Sequence, residues 1–370
     1  MKNTLTAGAA LLLTTSMVQA VGLDRSGQPI GIIFEEGGAS GSYAELSYGY
    51  VSPDVDGSDV ALFGGLSSGN ATDDFGILGL GVKTQLNDQW SAALIIDEPY
   101  GVDIDYPDGG SLAFGGTQAF VDSYAVTGLV RYKFDDNFSV YGGLRAQSIE
   151  ADITLSGAAF GFLDGYDVDL DRDTGFGYTI GAAYERPDIG LRVAVTYISE
   201  IDHEFETTDT LGSTADTDVT TPQAVNLDFQ TGIAADTLLF GSVRWAEYSN
   251  TIVIPEMFPV AAGSLTDIED NFGYTLGVGR RFTDQFSASI TLGFEEEEDD
   301  DLVSPLAPTN GNYSIAIGGQ YEINDFVLSG GVRYVVLGDA EPETGTPDEA
   351  RADFDNNDAI AVGFQIGYNF

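Results

Sequence analysis

The last eleven residues, Ile360-Ala-Val-Gly-Phe-Gln-Ile-Gly-Tyr-Asn-Phe370, are the stretch that decides the fold class of this chain. Every second residue is large and apolar, and the residues between them are small or polar. Because side chains alternate between the two faces of a β-strand, this segment has one apolar and one polar face. The pattern is typical of a strand that separates lipid from the interior of a transmembrane barrel, although a half-buried soluble strand shows it too.

The first twenty residues have the features of a cleavable secretory signal peptide. Lys2 is followed by a small and apolar run over residues 7–18, and Val18-Gln19-Ala20 is a small-x-small cleavage site. The run is too short for a transmembrane anchor. We therefore expect residues 1–20 to be removed. Export, together with a final aromatic strand resembling the signal read by the outer-membrane assembly machinery, favours the outer membrane of a Gram-negative bacterium.

The charge of the chain excludes one class of partner. A formal net charge of −45 would repel phosphate backbones, so we expect no nucleic acid. Acidic runs lie at 295–301 and 348–358. They are interpreted as solvated loops, or alternatively as sites where divalent cations bridge the loops to lipopolysaccharide phosphates. We expect no cofactor and no resident metal site.

Two kinds of connection separate the alternating segments. Six short connections carry Asp or Asn, which accept the local hydrogen bonds of tight turns; they lie at 87–89, 135–137, 186–188, 235–236, 283–285 and 324–325. Seven longer, polar connections lie at about 54–74, 99–120, 151–174, 200–221, 249–271, 295–311 and 338–357. This alternation is not expected of two soluble β-sandwiches. It predicts a 14-stranded antiparallel barrel with short periplasmic turns and long outer loops.

The predicted strands follow from these connections. They span 43–53, 75–86, 89–98, 122–134, 138–150, 175–185, 189–199, 223–234, 237–248, 272–282, 286–295, 312–323, 326–337 and 358–370. Most have the roughly 9–11 residues that a tilted membrane strand needs.

Several short motifs occur in order along the mature chain. They are Gly22–Gly27, Ile33-Phe-Glu35, Tyr50–Val55, Glu98–Tyr106, Thr221–Gly232, Leu337-Gly-Asp-Ala340 and the closing strand. In this order the chain resembles the FadL family of outer-membrane transporters for long-chain fatty acids and other hydrophobic compounds. The resemblance implies a lumen blocked by an N-terminal hatch, here residues 21–42, inside a barrel formed by residues 43–370. It also implies capture by outer loops and lateral release through a gap between strands. Two features depart from the family: the hatch is short, and its usual Asn-Pro-Ala element is missing.

Because side chains alternate along each strand, the positions of most basic residues place them on the inward face of the predicted barrel. This is expected, since a basic residue on the lipid face costs about 2–4 kcal/mol at mid-bilayer. The inward set is Lys83, Arg131, Lys133, Arg145, Arg192, Arg244, Arg281 and Arg333. These residues either pair with lumenal acids or bind an anionic head group, which arginine can hold through two hydrogen bonds. Arg145, Arg192 and Arg244 are the candidate ligand residues, with Arg25 as a further contact from the hatch.

Two predicted outer loops carry apolar clusters that could capture a hydrophobic ligand. The candidates are Tyr100, Tyr106 and Phe114 in the loop after the third strand, and Met257 and Phe258 within 252–260. The alternative is that these long loops pack on themselves. Pro99, Gly101, Gly109 and Gly110 could interrupt strand pairing after the third strand, where a lateral opening would form.

Passive transport of a long-chain fatty acid or similar hydrophobic molecule is therefore the first hypothesis. A general diffusion porin for small polar solutes is the alternative. An enzyme is not expected, because the single imidazole, His203, has no Ser-based motif near it. A structural or adhesion barrel would require that deletion leave uptake unchanged.

Overall fold

The structure is a computed structural model that describes residues 23–26, 28–259, 262–266, 268–298, 301–345, 347 and 349–370. The predicted signal peptide and Val260 of the second apolar loop lie outside the described residues. No helix in this described part is long and apolar enough to cross a membrane.

Fourteen antiparallel strands form a closed barrel, which confirms the predicted strand count. Each strand pairs with its neighbours in sequence, and β1 closes the ring by pairing with β14, from Tyr43 opposite Asn369 to Asp54 opposite Asp358. The strands β1 to β14 are Tyr43–Asp54, Phe75–Gln85, Trp90–Asp97, Gln118–Lys133, Phe138–Leu155, Tyr166–Arg186, Leu191–Ile198, Ala224–Ala234, Thr237–Ala246, Asn271–Arg281, Phe286–Glu295, Asn312–Ile323, Phe326–Leu337 and Asp358–Asn369.

The short turns have the predicted chemistry. Asn87 accepts hydrogen bonds from the backbone N–H groups of Gln89 and Trp90, both at 3.0 Å. Asp135 does the same for the N–H groups of Asn137 and Phe138, at 2.8 Å each. Asp236 and Asn324 have left-handed backbones, with φ of 54° at both positions. Short polar side chains therefore close these hairpins, as tight turns require.

The wall separates apolar from basic side chains as strand parity predicts. Leu144 on β5 is 76% exposed on the outer face, and its neighbour Arg145 is 2% exposed inside. Five of the eight predicted inward residues are buried, namely Lys83, Arg131, Arg145, Arg244 and Arg333. Lys133, Arg192 and Arg281 are partly buried.

Strands β4 to β6 are longer than predicted, and the loops predicted at 99–120 and 151–174 are wrong in part. A short strand occupies Gly101–Asp105, β4 begins at Gln118, and only residues 156–165 separate β5 from β6. The prediction failed because the alternation continues beyond the membrane with its polarity reversed. There Ile153 and Val168 point inward and are buried, while Asp152 and Asp169 are exposed.

The outer end of the barrel contains a hydrophobic core of its own. Its members come from the long loops and from the projecting parts of the strands, and they include Tyr106, Phe114 and Phe354, each at 0% exposure. The ring of Tyr106 lies 5.5 Å from that of Phe114 and 6.3 Å from that of Phe354. The outer loops are therefore packed on one another.

Candidate functional site

Strand pairing is interrupted at one place in the wall, between β2 and β3. The regular ladder ends at Leu80 opposite Ile96, and pairing resumes at an isolated bridge between Thr72 and Ile104. Residues 74–79 and 97–102, all of which are described, have no ladder partner across this seam. We call this break the wall gap. It lies where Pro99, which has no backbone N–H to donate, was expected to interrupt pairing.

The other edge of the third strand stays attached to β4 through a bulge. Asp97 lies opposite Ala125, but Gly101 lies opposite Asp122, so three residues on one side face two on the other. Ser123 repairs the ladder, because its hydroxyl accepts from the N–H of Tyr100 at 2.9 Å and donates to the Tyr100 carbonyl at 2.6 Å. The bulge turns the chain away from β2 while β4 holds it.

Residues 23–26 and 28–34, here called the inner segment, lie inside the barrel and pair with the bulged chain. Asp24 forms an antiparallel bridge with Tyr100. The N–H of Gly101 donates to the Leu23 carbonyl at 2.9 Å, and the N–H of Arg25 donates to the Pro99 carbonyl at 2.8 Å. Two backbone groups freed by the wall gap, the Gly101 N–H and the Pro99 carbonyl, are thus satisfied from the lumen.

The side chain of Arg25 bridges the two edges of the wall gap. Its guanidinium lies 4.2 Å from the ring centre of Phe75, on the β2 side, and forms an ion pair with Asp103 on the other side. A Cβ at Gly101 would lie 2.2 Å from the Arg25 guanidinium carbon, so any larger residue here would force the Arg25 side chain to move. The predicted role of Arg25 as an inner contact stays a prediction, but its position is at the gap.

Arg244 and Arg145 both meet carboxylates near the wall gap. Arg244 donates from Nε to Asp24 at 2.8 Å, and Tyr248 donates to the same carboxylate oxygen at 2.6 Å. Arg145 lies 3.7 Å from Asp97, which also accepts a hydrogen bond of 2.6 Å from Ser26. The structure therefore brings both arginines to acids beside the inner segment.

The inner segment is anchored towards the short-turn end by a 3₁₀ helix, Ile30–Phe34. The Phe34 ring lies between two guanidinium groups, with Arg131 at 4.5 Å and Arg192 at 4.7 Å. It also meets the edge of Tyr141 at 5.4 Å. The helix isoleucines pack in a buried cluster with apolar wall residues, namely Ile30, Ile32 and Ile33 against Ala93, Ile95, Leu129, Ala183 and Ala194.

Beside the inner segment lies a cavity of about 220 Å³. Much of its wall is small, with residues such as Gly49, Gly79, Ala316, Gly331, Ala361 and Gly363. The guanidinium-bearing residues that line it are Arg25, Arg192, Arg244 and Arg333, and the acids include Glu45 and Asp228. Leu78, Gly79 and Asp97 line both the cavity and the wall gap, so the two are contiguous.

The predicted apolar capture residues divide into two groups. Tyr106, Phe114 and Phe258 are enclosed in the outer core, and Tyr100 is 2% exposed beside the inner segment. The first three side chains are packed within the outer loops, the alternative left open by the sequence, whereas Tyr100 packs against the inner segment, with its hydroxyl 3.4 Å from Gln28 Nε2. Met257 is 51% exposed, and so are its neighbours Ile252 (48%) and Ile254 (47%).

Sequence reasoning missed the acidic partners Asp24 and Asp97 and the aromatic partners Phe34 and Phe75. The sequence did contain a signal for the two acids, because Asp97 occupies an inward position of the third strand and Asp24 is next to Arg25. The sequence does not show which side chain across the lumen either acid contacts. Among the described residues, no group of three or more His, Asp or Glu side chains is arranged to hold a metal ion.

Comparison with known proteins decides the family. Residues 41–370 match the family model described as outer membrane protein transport protein (OMPP1/FadL/TodX). The chain belongs to this family. It is thus an outer-membrane β-barrel of a family that transports hydrophobic compounds, as the resemblance indicated. A search of curated proteins finds no match.

Solved structures share the fold at low sequence identity. A Pseudomonas aeruginosa FadL homologue has a TM-score of 0.73 and 14% identity, over 100% of this chain and 98% of that one. The P. putida toluene transporter TodX has a TM-score of 0.66 and 13% identity, over 96% and 98%. The Ralstonia pickettii toluene transporter TbuX has a TM-score of 0.61 and 12% identity, over the same shares.

Proposed function

We propose that this member of the family carries long-chain fatty acids or similarly hydrophobic molecules into the outer membrane by lateral release. The ligand enters from the outer face, occupies the cavity, and leaves through the wall gap into the hydrocarbon layer. The observation that carries the proposal is that the gap between β2 and β3 borders the cavity, with Leu78, Gly79 and Asp97 common to both. An apolar solute gains nothing from entering the aqueous periplasm, so a sideways path is the favourable one.

The exposed loop residues support a first contact outside the barrel. Met257, Ile252 and Ile254 are exposed on a long outer loop, and an exposed apolar group at such a position is a candidate capture surface. We assign capture to these three residues. Tyr106, Phe114 and Phe258 stabilise the outer loops as members of their hydrophobic core.

Residues 21–42 would act as the plug of this path, followed by the barrel over residues 43–370. The support is the double attachment of the described part, at Phe34 near the short-turn end and at Asp24 and Arg25 beside the wall gap. A plug held in this way leaves little room for a steady aqueous current. This favours a hydrophobic-compound transporter over a diffusion porin.

Lipid contacts outside the barrel are part of the same proposal. The acids on the outer face of β4 to β6, such as Asp122, Glu150 and Asp152, lie beyond the apolar lipid-facing band. Divalent cations could join such carboxylates to lipopolysaccharide phosphates, since both supply the oxygen ligands that these cations prefer. The aromatic strand ending in Phe370 would direct the chain to the outer-membrane assembly machinery.

The test closes the wall gap with a covalent link. The described residues contain no cysteine, so Leu78→Cys with Glu98→Cys can be joined by a short bis-maleimide without competing thiols. Leu276→Cys with Leu292→Cys, which are cross-strand partners on the intact seam between β10 and β11, is the matched control. Uptake of labelled oleate is measured in a deletion strain carrying each variant.

We expect linking across the wall gap to lower uptake at least about tenfold, and the control link to leave uptake unchanged. Equal uptake in both linked proteins would contradict lateral release. A strain without the gene that takes up oleate and hydrocarbons as fast as the complemented strain would contradict the transport function itself. A steady ionic current in planar bilayers would favour the porin alternative.

A further inference from the structure

We propose that Glu98 determines which hydrophobic molecules leave through the wall gap, because its carboxylate disfavours the passage of an anionic head group. The inference rests on the proposed function and goes beyond it, since it assigns a specificity-determining residue to the exit and states the charge of the ligand that passes there. A hydrocarbon, an alcohol or a fatty acid in its protonated form leaves more readily than a carboxylate.

Glu98 lies on the lipid side of the wall gap. On the third strand Ile96 is 37% exposed and Asp97 is 2% exposed, so outward and inward side chains alternate up to the start of the gap. Glu98 continues the outward series and is partly buried. It interacts with the backbone N–H of Leu78 on the opposite edge, and with the charge of Asp122, which is exposed on the outer face. Its carboxylate therefore lies in the path of a ligand that leaves sideways.

The basic side chains on the lumenal side of the gap are already close to other acids. Arg25 forms an ion pair with Asp103, and Arg145 lies 3.7 Å from Asp97. Glu98 interacts with Arg25 only at longer range. Three carboxylates, those of Asp97, Glu98 and Asp103, thus meet two guanidinium groups at the gap. The carboxylate of Glu98 is the negative charge in excess.

The outer face beside the gap adds further negative charge. Asp74 is exposed at the end of the β2 edge. Arg172 is the basic residue of this face, and it is held by two carboxylates, those of Asp122 and Glu150. Arg172 is therefore already neutralised by its own neighbours, and the surroundings of Glu98 stay acidic on the lipid side as well as on the lumenal side.

A carboxylate that passes the gap therefore meets an excess of like charge. The repulsion is weakly screened, because the effective dielectric constant beside the hydrocarbon layer is lower than in water. An uncharged head group meets no such repulsion, and it also enters an apolar medium far more readily than an ion does. The exit therefore separates ligands by charge, and Glu98 is the residue placed to make this distinction.

The experiment measures uptake of labelled laurate and labelled 1-dodecanol, which have the same chain length and differ in charge at neutral pH. A deletion strain carries the wild type, Glu98→Asp, Glu98→Gln or Glu98→Lys. The quantity compared is the ratio of laurate uptake to dodecanol uptake, each after subtraction of uptake by the strain without the gene. Glu322→Gln, at the short-turn end of β12, removes the same charge far from the gap and is the matched control.

We expect Glu98→Gln to raise this ratio at least about fivefold, since like charges brought together are strongly disfavoured. Glu98→Lys should raise it further, and Glu98→Asp and Glu322→Gln should keep the wild-type ratio. An unchanged ratio in Glu98→Gln, or an equal rise in Glu98→Asp, would mean that this side chain only shapes the gap, and would overturn the inference while leaving the transport function intact. A wild type that takes up neither ligand faster than the strain without the gene would overturn both.

Discussion

The same strands run through the membrane half and the outer half of the barrel, but the polarity of their two faces is reversed. In the membrane half the outward side chains are apolar, and in the outer half they are acidic. On β5, Leu144 points to lipid and Arg145 to the lumen, but eight residues later Asp152 points outward and Ile153 inward. Even positions of β5 face outward in both halves, so the change lies in the residue types that occupy each face. The alternation of side chains every second residue therefore identifies a strand. The residue types on its outward face show whether lipid or water surrounds it.

The largest expected effect comes from the apolar interior of the outer half. Phe114→Ala should cost about 3–5 kcal/mol in the local stability of the outer loops, since it removes a fully enclosed ring. The barrel in the membrane should be unaffected. Hydrogen exchange of the loops and of the membrane strands measures the two halves separately.

Phe162→Ala is the control for this experiment, because Phe162 is an outer-loop ring that is 77% exposed. It should change loop exchange little. Equal exchange in the Phe114 and Phe162 variants would mean that the outer half has no packed core.

A second comparison places the same charge on two outward positions of one strand. Leu144→Arg should cost about 2–4 kcal/mol, as expected for arginine facing lipid near mid-bilayer. Asp152→Arg should be tolerated, because this position faces water and lies opposite Asp169. Unfolding of both variants by guanidinium in lipid vesicles gives the two free energies. Equal costs would contradict the change of medium along β5.

The smallest expected effect is a pH dependence of the outer half. Burial lowers the pKa of His203 below its usual value of 6.5, although Asp173, 2.9 Å from Nδ1, opposes the shift. The unfolded loop then binds a proton more readily than the folded one. The local stability around His203 should therefore fall as the pH drops below about 6.5.

Hydrogen-exchange protection factors of residues 201–221, which correct for the intrinsic pH dependence of exchange, check this sign between pH 5 and pH 7, with His203→Gln as a variant that cannot titrate. Asp169 would act in the opposite direction. Burial, followed by the charges of Asp152 and Asp171, raises the pKa of Asp169, so its effect destabilises the loops as the pH rises. Protection factors that rise at acid pH would show that the carboxylates, and not His203, control this region.

Local chemistry made much of the fold predictable. The turn residues Asn87, Asp135, Asp236 and Asn324 fixed the strand count, because tight hairpins restrict which residues can occupy them. The inward position of Arg145 followed from parity alone. Pro99 correctly marked the place where pairing fails.

The candidate site was less predictable, because its contacts cross the lumen. Asp24 and Arg244 are 220 residues apart, and their meeting depends on the path of the inner segment. The same holds for Phe34 between Arg131 and Arg192. Strand parity tells which side chains face inward, but not the height or angle at which two of them meet.

The most direct test of lateral release is to locate the ligand on its way out. The protein in lipid nanodiscs is loaded with a diazirine-tagged fatty acid, irradiated, and digested, and the labelled peptides are identified by mass spectrometry. Our account predicts label on residues 75–79 and 97–102, which border the wall gap. Label confined to the lumen at the short-turn end, around Lys83 and Arg281, would show straight passage to the periplasm and would contradict it.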